Sequence, residues 1–220
     1  MPKPFRFIVY YLLNSLATSN FDWYKSSSNI ILIAIFITTL ISGNIPLKAI
    51  VAFLLFSIPL IRFRIPLYIA ILSILPALPT FLIGIIFASL TIAINSFIKA
   101  YTISMLTLAI LHYINISEIA FIADKIRRGS SIYIMLIFKS IPQILKEVEE
   151  ALFIAETKGK EIWRGIAVAT LATYEHGVLH EEGLYTKNIY RVAPRYRVSA
   201  IIYTIVIFIL ILAMSILYQG

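Results

Sequence analysis

At 220 residues and 24.9 kDa the chain has the length of a single domain, but 60% of it is hydrophobic, only 14% is charged and its mean hydropathy is +0.91. That balance excludes an ordinary soluble globule, and the absence of cysteine excludes disulfides, iron–sulfur clusters and cysteine-based zinc sites. The net charge of +8 matters less than its placement: residues 1–123 carry seven Lys/Arg and only two acids, Asp22 and Glu118, whereas residues 124–198 carry twelve Lys/Arg and nine Asp/Glu.

In chain order, the stretch from Phe5 to Leu16 follows Lys3 and Arg6 in the manner of a secretory signal. Its strictly apolar part is short, so it reads as an interfacial helix anchored by Tyr10, Tyr11 and Trp23. Four apolar spans follow, at about Asn29 to Ser42, Ile45 to Ile61, Ile65 to Ile94 and Phe97 to Tyr113, separated by Gly43-Asn44, Arg62-Phe63-Arg64 and Asn95-Ser96. The third is longer than the roughly 20 residues of a straight crossing and contains Pro76 and Pro79, so it must kink, tilt or break into a re-entrant pair. A fifth span runs from Val198 to Tyr218. The expected fold is an all-α polytopic membrane protein with about five transmembrane helices plus two or three cytoplasmic amphipathic helices. It divides into an N-terminal membrane region (1–113), a polar region (114–198) and a C-terminal transmembrane helix (199–220).

Five spans put Lys3, Arg6, Lys25, Arg62, Arg64 and all twelve basic residues of the polar region on one side, which the positive-inside rule makes cytoplasmic. The N-terminus is then inside and the C-terminus outside. Lys48 and Lys99, near the opposite span ends, are expected to snorkel to the headgroups.

The polar region begins with ISEIAFIADKIRRG, Ile116 to Gly129, a short amphipathic segment with Ser117 as N-cap and Glu118 in the first turn. From Ser140 to Lys160, apolar residues at Ile141, Ile144, Leu145, Val148, Ala151, Leu152 and Ala155 form one helical stripe, and Lys146, Glu147, Glu149, Glu150 and Lys158 occupy the remainder. Gly159 suits the end of that helix and Lys158 its negative pole, so locally the pair reads as a C-cap. A second helix, Glu161 to Glu182, stops at Gly183 with Glu181 and Glu182 in its last turn. There each acid costs roughly 0.3–1 kcal/mol when exposed, which solvent screens or a partner's cation offsets.

Two further constellations carry weaker signals. His176 and His180 stand at i, i+4 and could chelate a divalent metal, but the residues between them are Gly177, Val178 and Leu179, so a zinc-protease motif is absent. Solvated or interfacial histidines are the simpler reading. The basic KNIYRVAPRYR, Lys187 to Arg197, directly precedes a span, so its expected partner is anionic lipid rather than nucleic acid.

Two stretches resemble a known family. They are Thr107-Leu-Ala-Ile-Leu-His-Tyr-Ile-Asn-Ile-Ser-Glu-Ile-Ala and Leu136-Ile-Phe-Lys-Ser-Ile-Pro-Gln-Ile-Leu-Lys-Glu-Val-Glu-Glu-Ala. The first looks like a span ending in a polar turn and an S-x-x-[LI]-A pattern, the second like an apolar run, a basic residue, a central proline and an acidic amphipathic helix. Together they resemble the transmembrane T component of energy-coupling factor (ECF) transporters, which import vitamins and transition-metal ions, over about residues 100–218. The family's two Ala-Arg-Gly signatures, at the tips of coupling helices, would fall on Thr157-Lys158-Gly159 and on Glu181-Glu182-Gly183. At the second, only the glycine survives and an acid replaces the arginine.

The resemblance implies a non-catalytic coupling subunit in the cell membrane. Its partners would be two ABC-type ATPase subunits, which use ATP and Mg, and a small membrane substrate-binding (S) subunit. This chain would bind no cofactor itself, and no G-x-x-x-x-G-K-[ST] occurs in it. The alternative is a self-contained secondary transporter or permease, which should show intramembrane ionisable residues and similar internal halves.

Overall fold

The computed structural model describes residues 23–41, 43–61, 64–158, 167, 171 and 193–217. Among these, 88% are helical and none lies in a strand. The helices fall into two compact units.

The first unit, within 21–114 and 196–220, is the apolar bundle. It opens with a 3-10 turn at Trp23–Ser26. Helices α1 (Asn29–Ile41), α2 (Ile45–Leu60), α3 (Ile65–Leu72), α4 (Ile74–Phe87), α5 (Leu90–Tyr113) and α8 (Val198–Leu217) follow. Among the described residues, three stretches are long and apolar enough to cross a membrane: Ile65–Phe87, Leu90–Tyr113 and Val198–Leu217. Helices α1 and α2, with 13 and 16 residues, rise only about 20 and 24 Å against about 30 Å of hydrocarbon.

The expected third span is divided where prolines dictate. A proline ring collides with the carbonyl four residues back, and α3 stops at Leu72, four residues before Pro76. Ser73 donates its hydroxyl to Ile69 O at 2.7 Å, and Tyr101 of α5 donates to Ala70 O at 3.1 Å. These donors serve carbonyls in the last turn of α3, where no water is available to do so.

The next turn lies at Ala88-Ser89 and not at Asn95-Ser96, which are inside α5. Ser89, in extended conformation, caps α5 by accepting from Ile92 N at 3.4 Å. The chain folds back tightly there because Gly84 faces Ala93: a Cβ on Gly84 would come within 2.6 Å of Ala93 Cα. Small residues let two helices approach closely in lipid, where apolar side chains gain nothing by leaving the solvent. Ala49, Ala52, Ala77, Ala93, Ala109 and Ala200 are all fully buried, whereas large residues such as Ile61, Ile86 and Phe87 point outward.

Helix α2 carries Pro59 in its interior, so Leu55 O, four residues back, has no helical N–H to accept from. Tyr203 of α8 donates its hydroxyl to that carbonyl. One residue on, Tyr113 of α5 donates to Phe56 O at 2.7 Å and packs edge-on against the Phe56 ring. Ser27 and Thr204 add a buried hydroxyl pair at 2.6 Å.

The second unit, within 115–195 for its described residues, contains α6 (Ile116–Ile126) and α7 (Ser130–Lys158), which pack on each other.

Candidate functional site

The polar region is built from its start. Asn115, not Ser117, is the N-cap of α6: its side-chain oxygen accepts from Glu118 N at 3.2 Å and from the Ser117 hydroxyl at 2.6 Å. Both residue types suit the position, but Asn115 has the extended backbone of a cap, and its amide also donates to Arg195 O at 3.0 Å. Ser117 Oγ accepts from Arg195 N at 3.1 Å. The chain that departs at Asn115 therefore returns, 80 residues later, to the same two side chains. Glu118 lies in the first turn as expected, and is buried.

At the other end of α6, Asp124 accepts from Gly129 N at 2.7 Å and from the Ser131 hydroxyl at 3.3 Å. Ser130 donates to Ala123 O at 2.7 Å and shares Arg127 O at 2.6 Å. Gly129 turns the corner at φ 85°, a left-handed conformation that glycine adopts without a Cβ penalty.

Helix α7 is one continuous 29-residue rod beginning at Ser130, ten residues before the stripe that marked it in the sequence, and it contains Pro142. Its first ten residues, SSIYIMLIFK, contain an apolar run from Ile132 to Phe138 too uniform to reveal a helical period. Further along, Ile144 and Val148 of the stripe are half-buried, and Lys146 and Glu150 are exposed and paired across one turn at 3.9 Å. Thr157 and Lys158 are the last two residues of α7. Gly159, Glu181, Glu182, Gly183, His176 and His180 lie outside the described residues, as do Tyr10 and Tyr11. Among the described residues no three His, Cys, Asp or Glu side chains group as metal ligands.

Within the bundle, Lys48 does not snorkel. It is fully buried, with Nζ donating to Thr38 O at 3.3 Å and to the Ser215 hydroxyl at 3.4 Å. Its place in the first turn of α2 turns the side chain inward between α1 and α8, a consequence of helix phase that proximity to a span end does not reveal. Lys99 is exposed, and with Asn95 it borders an open cavity of about 570 Å³ against the Asn44 turn. Asn44 itself adopts φ 52°, a left-handed conformation that asparagine tolerates.

No family model, curated protein or solved structure matches the chain.

Proposed function

We propose that the chain is the transmembrane coupling subunit of an ATP-driven ECF-type importer of vitamins or transition-metal ions, seated in the cell membrane with its N-terminus and polar region cytoplasmic. What supports this most is α7, whose 29 described residues rise about 44 Å and reach Thr157-Lys158, where the resemblance puts the first coupling tip. An unbroken helical run from Ser130 past Pro142 connects that stretch to the base of the region. The base is held by α6, and the return of the chain at Arg195 to Asn115 and Ser117 ties the region's two connections to the bundle to one point.

In this reading two ABC-type ATPases bind ATP and Mg, and one receives the Thr157-Lys158-Gly159 tip. The other meets Glu181-Glu182-Gly183 with a basic surface, because the charge there is reversed. A separate S subunit binds the solute.

One observation favours the alternative of a self-contained secondary transporter: Lys48 is an ionisable residue buried within an apolar bundle, a feature such transporters use for coupling. Mild detergent extraction separates the two. Recovery of an ATP-binding pair and a small hydrophobic subunit with this chain supports coupling, and Lys158→Glu then lowers both complex yield and ATP-driven uptake. Solute movement by the chain alone in liposomes rejects it.

A further inference from the structure

Among the described residues, helix α6 leaves one side uncovered. Ile126 is 84% exposed and Ile122 is 45% exposed. They are one turn apart, so they share a face, and Lys125 lies between them. The Lys125 ammonium sits 4.9 Å from the centre of the Phe121 ring, which holds it beside this apolar strip. Arg127 and Arg128, both exposed, follow directly.

The three cations outnumber the acids of this segment: Asp124 faces Gly129 N and the Ser131 hydroxyl, and Glu118 is buried. Among the described residues neither Arg127 nor Arg128 forms an ion pair with an acid. The strip is therefore apolar at its centre and cationic at its border, with isoleucines that no solvated helix needs.

Chain connectivity limits where such a strip can be. Only Ile114 and Asn115 separate Tyr113, the last residue of a membrane-length helix, from Ile116. At 3.8 Å per step the start of α6 is within about 11 Å of the end of α5. A helix with this composition beside a bilayer buries its apolar strip at the headgroup boundary and sets its cations among anionic lipids.

We infer that α6 is an interfacial helix docking on anionic phospholipid, with Ile122 and Ile126 entering the acyl boundary and Lys125, Arg127 and Arg128 meeting lipid phosphates. This is independent of the coupling role: α6 can rest on lipid whether or not an ATPase grips the end of α7.

Because the chain contains no cysteine, a single introduced thiol reports on one site. Full-length Ile122→Cys, Ile126→Cys and Glu150→Cys variants, nitroxide-labelled in nanodiscs of phosphatidylglycerol and phosphatidylcholine, are compared by collision with oxygen and with a water-soluble nickel chelate. Expected are high oxygen and low nickel collision at 122 and 126, the reverse at 150, and a loss of the oxygen-rich signature at 126 when Lys125, Arg127 and Arg128 are replaced by Gln or when phosphatidylglycerol is omitted. Nickel collision at 126 as high as at 150 overturns the proposal. So does low collision with both reagents, which would mean a protein covers the strip. An oxygen-rich signature indifferent to both lipid charge and the three substitutions overturns the assignment to anionic lipid.

Discussion

Within the bundle, Tyr203 and Tyr113 send hydroxyls to consecutive carbonyls of α2, while in the polar region Asn115 and Ser117 bind exposed backbone at Arg195. The same kind of bond does different work in the two places. In lipid there is no water to take over a lost partner, so a carbonyl stripped of its helical N–H by Pro59 depends on one specific side chain. At Arg195, whose backbone is exposed, water can replace a lost partner, and the contacts set position more than they supply stability. The apolar surfaces differ in the same sense: the bundle turns large isoleucines outward and alanines inward, whereas α7 half-buries Ile144 and Val148 and exposes Lys146 and Glu150.

The sharpest test of this contrast is at Tyr203. Tyr203→Phe should destabilise the bundle by about 1–2 kcal/mol, because Leu55 O is left without a donor. Pro59→Ala should recover most of the loss by restoring the helical N–H. Unfolding midpoints of the two single variants and the double variant, in one detergent, give the coupling directly, and a double variant no better than Tyr203→Phe would break the account.

A smaller effect is expected at Asn115. Asn115→Ala removes a helix cap, a loss of about 1 kcal/mol, and should raise hydrogen exchange at the Glu118 amide and through the first turn of α6 while α5 stays protected. Asn115→Asp keeps the acceptor for Glu118 N–H but loses the amide that donates to Arg195 O. It should therefore preserve the cap while loosening the chain near Arg195, as limited proteolysis around that residue would report.

The smallest effect belongs to Lys146. Its pair with Glu150 is long, and both side chains are about two-thirds exposed, so Lys146→Gln should change stability by roughly 0–0.5 kcal/mol. A larger loss in the isolated chain would show that this face of α7 is covered by protein, against its reading as solvated.

Legibility followed the range of the forces involved. The apolar segments stand out in the sequence because transfer to lipid depends on local composition, and the cap region of α6 was recognisable to within two residues for the same reason. The turn at Ala88-Ser89 was not, because Asn95-Ser96 is the more polar pair and only the meeting of Gly84 with Ala93 reveals where the chain folds back. The run from Ile132 to Phe138 in the first ten residues of α7 hid its helix by being apolar on every side.

For the candidate site, the amphipathic half of α7 was readable from its period, and the described helix reaches Thr157-Lys158. The clamp of Asn115 and Ser117 on Arg195 was not readable, since no local pattern links residues some 80 positions apart.

By itself the sequence determined which stretches belong to lipid and which to water, because hydropathy and charge act residue by residue. Only the tertiary structure decided that Tyr203 replaces the bond Pro59 cannot make, that Lys48 turns inward to Thr38 and Ser215, and that the polar region closes on Asn115. Helical periodicity constrains neighbours up to about four positions away, and each of these contacts joins residues that only folding brings together.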